Sequence, residues 1–208
     1  YEEEYELFKK VYEDLSTENI KNKENYTADE RDIINKNGVL SFKPIMYVAN
    51  LDENSINSGN LYSKELESLA KKKNIELVTI SAQIEEELSA IKDEAEKKEL
   101  MQSLSIENSS LDQFISVGFD LLNLITYFTS GEKETKAWTI LKDSGAPKAA
   151  GAIHSDFEKG FIAAEVINIE KLLELGGEKN AKLSGKIRTE GKDYVVKDGD
   201  VILFRFNV

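Results

Sequence analysis

Pro44-Ile45-Met46-Tyr47-Val48-Ala49, followed at once by Asn50-Leu51-Asp52-Glu53, decides how the rest of the chain reads. The first six residues are a short apolar run without alternation, the pattern of a strand buried on both faces of a parallel sheet. A second run, Ile75-Glu76-Leu77-Val78-Thr79-Ile80, leads into Ser81-Ala82-Gln83. Between them Leu61, Leu66 and Leu69 are predicted to line one face of a helix. That helix closes on Lys71-Lys72-Lys73, cations suited to the negative end of its dipole. Strand, helix, strand is a βαβ unit, and the loops at the carboxyl ends of its strands are where ligands bind in open α/β folds.

Upstream of this unit Tyr5, Phe8, Tyr12 and Leu15 recur with helical spacing, an apolar stripe that calls for a partner helix. Thr27 followed by Glu30 reads as a capping box, and Gly38 as the left-handed residue that ends the short helix it opens. Downstream, Ser110 and Gln113 are predicted to cap a longer helix that carries Leu111, Phe114, Ile115, Leu121, Leu122, Ile125 and Phe128 and stops at Gly131. Strand signals follow at 135–141, 161–166, 186–189, 193–196 and 201–206. Glu190-Gly191-Lys192 and Asp198-Gly199-Asp200 are turns between the last three. With one short helix near Pro147 to Ala152, these form a small α+β module.

The 208 residues carry 27 Lys and Arg against 39 Asp and Glu, a net charge of −12, with 40% hydrophobic and 32% charged residues. That balance is globular and core-forming, and it disfavours wholesale disorder, a collagen-like repeat and a membrane span. No cysteine is present and His154 is the single histidine, so disulfides, thiol nucleophiles, Cys-bearing zinc sites and His-pair metal motifs are excluded. The charge is uneven: residues 1–130 hold 14 basic and 26 acidic side chains, and 131–208 hold 13 of each. The acidic first part is unsuited to gripping nucleic acid through phosphates, and the composition break near Ser130-Gly131 marks a candidate domain boundary. Tyr1-Glu2-Glu3-Glu4-Tyr5 is neither a basic start nor an apolar leader, which predicts a cytoplasmic protein. A chain that opens at Tyr1 inside a helix-like stretch also reads as a piece of a longer polypeptide.

Asn50-Leu51-Asp52-Glu53 stands where P-loop GTPases carry Asn-Lys-x-Asp. There the carboxylate accepts hydrogen bonds from the guanine N1–H and 2-amino groups, while the Asn braces loop and base. Adenine has no 2-amino group and presents an acceptor at N1, so a carboxylate aimed there has nothing to accept. Leu51 replaces the Lys and Glu53 holds the acid position with one extra methylene, so strict guanine reading is predicted to fail. Ser81-Ala82, after the second buried strand, would offer backbone N–H groups beside the base. The plainer alternative is that Asn50 and Ser81 only cap helix starts. No Gly-x-x-x-x-Gly-Lys-Ser/Thr occurs, so the chain is not expected to wrap a triphosphate, hold Mg²⁺ by a phosphate-loop hydroxyl or hydrolyse a nucleotide by itself. Adjacent Asp52 and Glu53 cannot flank a glycosidic bond. His154, beside Ser155 and Asp156, reads as a turn histidine rather than a triad member. Trp138, Phe204 and Phe206 read as module core. Lys142, Lys148, Lys182, Lys186, Arg188 and Lys192 read as a mixed, solvated surface.

Longer stretches carry a resemblance: Phe42 through Glu53, Leu121 through Gly131, Ala137-Trp138-Thr139-Ile140, Ile153 through Ile162, and the ending Glu190 through Val208. Together they look like the YchF family of Obg-like ATPases over essentially the whole chain. The resemblance implies an α/β fold: part of a P-loop NTPase domain with a helical coiled-coil arm, followed by an α+β ubiquitin-like β-grasp (TGS) domain. Residues 1–40 would be the returning part of the arm, 41–122 the C-terminal part of the nucleotide domain and 123–208 the TGS domain. It implies ATP in preference to GTP, with Asn50, Leu51, Glu53, Ser81 and Ala82 as the base-side residues. Mg²⁺ ligands, the phosphate loop and a catalytic histidine would lie upstream. It also implies ribosome association, no membrane partner and hydrolysis by the longer parent. The alternative is a non-catalytic TGS module that docks ribosomal RNA or protein. Oligomeric state is open.

Overall fold

The computed structural model of the chain describes residues 2–17, 25–106, 108–131 and 134–207. Tyr1 and Val208, quoted above at the two ends, lie outside them. The chain divides into two units, Tyr1–Ile45 and Met46–Val208.

In the first unit α1 (Glu2–Ser16) and α2 (Ala28–Lys36) share a small core of Leu7, Val11, Tyr26, Ile34 and Phe42. The stripe expected on α1 is not the one that packs. Leu7 and Val11, four residues apart, are buried, whereas Tyr5 and Tyr12 are 67% and 71% exposed. Two apolar stripes compete on this helix, and the aliphatic one faces α2 while the aromatic-rich one faces solvent. The capping box is present as predicted: Thr27 N–H donates to Glu30 Oε2 at 2.7 Å, and Glu30 N–H donates to Thr27 Oγ1 at 3.2 Å. The bond from the Thr27 amide is the main cause holding the Glu30 carboxyl below its ordinary value. Gly38 takes φ +73°, the left-handed conformation that a side chain resists. Tyr26 donates its hydroxyl to Asp14 at 2.6 Å, and burial and that carboxylate push its ionisation upward.

The second unit opens with β1 (Tyr47–Asn50), α3 (Leu61–Lys73) and β2 (Leu77–Ile80). The two strands pair in parallel, Tyr47 opposite Leu77 and Asn50 opposite Ile80, which is the predicted βαβ unit. Burial is lighter than the apolar runs suggest. Val48 is 38% exposed, and α3 buries Ala70 rather than Leu61 or Leu69, because a two-stranded sheet covers only part of each neighbour. Two helices follow, α4 (Ala82–Ala90) and α5 (Glu94–Ser103), then α6 (Ser110–Leu121). The predicted long helix is therefore cut short. Asn123, at φ +52°, ends it, and Leu124–Ser130 becomes β3, with Ile125 and Tyr127 buried at period two. Its N-cap is Ser109, one residue before the predicted Ser110.

The remaining elements are β4 (Thr135–Leu141), α7 (Ala146–Ile153), α8 (Ser155–Lys159), β5 (Phe161–Asn168), α9 (Ile169–Glu174), α10 (Glu178–Leu183), β6 (Arg188–Glu190) and β7 (Asp200–Phe206). The sheet order is β4-β3-β7-β5-β6, parallel only between β3 and β7. A mixed sheet wrapped on one helix is a β-grasp. Ala146, Ala149 and Ala150 of α7 are fully buried, and their small side chains let the helix sit close to Tyr127, Val166 and Ile202. The strand predicted at 193–196 is absent. Val195 makes a single bridge to Gly145, since this stretch caps the start of α7 instead of extending the sheet. Phe204 is core as predicted. Phe206 stacks on Phe157 at 3.7 Å between ring centroids, at the margin of the core. Trp138, half-buried, donates to Thr129 Oγ1 at 2.9 Å and lies under the Lys136 ammonium. His154 is a turn residue, its Nδ1 accepting the Asp156 amide at 3.2 Å.

Two substitutions test this packing. A Cβ at Gly160 would overlap the carbonyl oxygen of Asn207, whereas one at Gly191 would meet nothing within 4 Å. Gly160→Ala is expected to lose ~1–3 kcal/mol through overpacking and lower the melting temperature, with Gly191→Ala near wild type. Equal melting temperatures would refute the close approach of β5 to the end of β7. Thr27→Ala is expected to cost ~1 kcal/mol, read as faster amide exchange in α2 alone; unchanged exchange there would remove the capping box.

Candidate functional site: the paired loops after β1 and β2

Parallel pairing runs one residue past the strands, because Leu51 donates its N–H to the Ile80 carbonyl at 2.8 Å. Asn50, at the end of β1, then turns its side chain across, and its Oδ1 accepts the Ala82 N–H at 3.1 Å. Ala82 is the first residue of α4, so Asn50 satisfies one of the amides that a helix start leaves without an intrahelical acceptor. The two loops, thirty-two residues apart in sequence, are thus held side by side.

Of the residues singled out from sequence, Asn50, Glu53 and Ala82 are exposed, and Leu51 and Ser81 are buried. Asn50, Leu51, Ser81 and Ala82 come together, while Glu53 stands in the turn beyond. That turn is shaped by Asp52, whose carboxylate and carbonyl both accept the Ser55 amide. Ser81 occupies the N-cap position of α4 without capping it. The residue is 1% exposed, and its hydroxyl has no hydrogen-bond partner among the described residues. Beside it lies a cavity of about 260 Å³ lined entirely by uncharged residues, among them Ile56, Thr79, Ile84, Ile106 and Gln113.

Two supports escape sequence reading because their partners are remote. Asn57 donates to the Leu104 carbonyl at 2.9 Å and ties the first loop to the end of α5. Glu85, one turn into α4, accepts from the Ser109 hydroxyl and from the Ser110 hydroxyl and amide. Burial pushes the Glu85 carboxyl upward, but the bonds from the Ser110 and Ser109 hydroxyls and from the Leu111 and Ser110 amides outweigh it and hold it below the ordinary glutamate range. Among the described residues no group of three or more His, Cys, Asp or Glu is placed to hold a metal ion. No clustered carboxylate set for Mg²⁺ is thus present among the described residues. No described helix is long and apolar enough to cross a membrane.

The family model YchF-GTPase_C, described as "Protein of unknown function (DUF933)", matches residues 124–207, which begin with β3 and end just after β7. The "Ribosome-binding ATPase YchF" of Bacillus subtilis is 44% identical over 207 residues, 99% of this chain and 56% of that protein. Its namesake in Haemophilus influenzae is 48% identical over 180 residues, 86% of this chain and 49% of that protein. The solved YchF GTPase of Schizosaccharomyces pombe superposes with a TM-score of 0.83 at 34% identity, covering 98% of this chain and 55% of the other. The chain spans about half the length of the curated relatives it matches. Over about half the length of these relatives the chain matches the YchF family of Obg-like ATPases in sequence and fold, with the family-model match in the C-terminal, TGS-like region.

Proposed function

We propose that this chain supplies the base side of a nucleotide site and a TGS module to a cytoplasmic, ribosome-associated protein that binds and hydrolyses ATP, and GTP less well. Residues 1–40 belong to a helical arm, 41–122 to the nucleotide domain and 123–208 to the TGS domain. Asn50, Leu51, Glu53, Ser81 and Ala82 are the base-side residues. The phosphate loop and Mg²⁺ ligands are assigned to the rest of the whole protein, where Mg²⁺ would offset phosphate charge.

The observation that carries this reading is the bond from the Ala82 amide to Asn50 Oδ1, which brings the two loops to one edge of the parallel pair. The hydrogen bonds already made also bear on specificity. Leu51 has a buried side chain and spends its N–H on Ile80, so its remaining polar group is its carbonyl oxygen. A carbonyl acceptor complements the 6-amino donor of adenine and opposes the 6-oxo acceptor of guanine. One such mismatch is worth ~1–3 kcal/mol, so the reading predicts discrimination against GTP rather than its exclusion. Hydrolysis in the whole protein is a matter of charge stabilisation and water positioning, and no residue of this chain is assigned to that step.

A second reading, a binding module that docks ribosomal RNA or protein, draws on the exposed apolar residues Ile162, Leu173 and Leu203 of the β-grasp region. Titrating the whole protein with fluorescent ATP and GTP analogues separates the base argument from this one. ATP is expected to bind more tightly, and Asn50→Ala is expected to weaken it about fivefold to tenfold through loss of the brace, worth ~1 kcal/mol. A whole protein that prefers GTP, or an Asn50→Ala variant with unchanged affinity, would sink the base-side assignment.

A further inference from the structure

Glu85 has no part in the base-side assignment, yet its carboxylate joins two helices that sequence separates. It sits one turn beyond Ala82, on the helix whose first residues form the second loop. Oε1 accepts from the Ser110 amide at 2.7 Å, the Ser110 hydroxyl at 2.6 Å and the Leu111 amide at 3.2 Å, and Oε2 accepts from the Ser109 hydroxyl at 2.8 Å. The amides at a helix start lack intrahelical acceptors and carry partial positive charge, so a carboxylate supplied by another helix meets both needs.

The helix held in this way runs straight into the β-grasp sheet. From Ser110 to Leu121 it spans ~18 Å at 1.5 Å per residue and packs along β2. Only Leu122 and Asn123 separate it from β3, and the Asn123 carbonyl accepts the Lys142 amide at 2.7 Å, which ties the junction to the end of β4. A short helix fixed at both ends passes displacement along its axis instead of absorbing it. Hydrogen bonds to Glu85 of 2.6 to 3.2 Å tolerate little change in separation before they are lost.

We propose that Glu85 is a positioning residue that, through α6, joins the Ser81–Ala82 loop to the first strand of the β-grasp sheet, so that order at one end requires order at the other. The functional meaning of this linkage rests on reading Ser81–Ala82 as a nucleotide-side loop; the linkage itself does not.

Hydrogen exchange on the 208-residue chain, comparing wild type with Glu85→Ala and Glu85→Gln, tests it. Gln keeps an oxygen that accepts from Ser110 and Leu111 and loses only the bond from the Ser109 hydroxyl, so it is expected to retain most of the protection. Glu85→Ala is expected to raise exchange roughly tenfold or more at 110–113, and also at 82–85 and 124–128. Faster exchange confined to 110–113 would overturn the linkage, as would a Gln variant indistinguishable from Ala. Should Glu85→Ala fail to fold, Ser110→Ala removes a hydroxyl contact to Glu85 from the α6 side while leaving the Ser109 cap in place, and is read at the same positions. In the whole protein, ATP is expected to protect both 82–85 and 124–128 in the wild type. Protection of the first without the second overturns the functional meaning of the linkage. Absence of ATP binding overturns the nucleotide reading, and exchange on the free chain then decides the role of Glu85 by itself.

Discussion

One side-chain amide decides where the second loop sits. Parallel strands in register bring Asn50 and Ile80 level, but nothing in strand pairing compels the segments beyond them to stay together. The acceptance of the Ala82 amide by Asn50 does so, at a net worth of only ~1 kcal/mol. Its geometric effect is larger than its energy. With Ala82 engaged by β1 and the Glu85 amide engaged by the Ser81 carbonyl, Gln83 and Ile84 are the first-turn amides of α4 that lack an intrahelical acceptor.

The β-grasp region uses a different device, a polar loop standing in for a missing stretch of strand pairing. β3 and β7 pair at Phe128 and Val201, and the upstream part of β3 is held instead by the loop before β7. Thr126 donates to Asp198 Oδ1 at 2.7 Å, and its carbonyl accepts the Gly199 amide at 2.9 Å. Gly199 can take part because φ +76° is open to glycine. Asp200, 2% exposed, closes the arrangement by accepting the Tyr194 hydroxyl at 2.7 Å and the Lys197 amide at 2.9 Å. Burial and that carboxylate push the Tyr194 hydroxyl up to about 12, so it stays a donor throughout the neutral range. A buried carboxylate with two donors is tolerated where an unpaired one would not be.

The elements legible from sequence are those whose signal is local. The capping box at Thr27 and Glu30, the βαβ unit, α7 after Gly145 and the strands β4, β5 and β7 all rest on residues within a few positions of one another. The misreadings occur where two local signals compete. Leu121 through Phe128 fits a helix as well as a strand, and only the left-handed Asn123 and the pairing with β4 decide for the strand. On α1 the larger aromatic stripe lost to Leu7 and Val11, which pack with Tyr26, Ile34 and Phe42. Asn50, Leu51, Ser81 and Ala82 could be nominated as loop residues, but not the bond between Asn50 and Ala82, nor the capping of α6 by Glu85. Those depend on distances across 32 and 25 residues of chain, which periodicity does not encode.

Ser81 shows what such a long-range constraint makes possible. A serine at the N-cap of a helix ordinarily turns its hydroxyl onto the amides one turn ahead. Here the neighbouring strand engages the Ala82 amide instead, the Ser81 backbone is extended at φ −123° and ψ 104°, and the buried hydroxyl has no partner among the described residues. Val78, Ile84 and Leu88, from the same strand and helix, are buried as well. The loop is therefore positioned by its surroundings rather than by its own cap. A shift that let Ser81 cap α4 would turn its hydroxyl onto the Gln83 and Ile84 amides, which Asn50 does not engage.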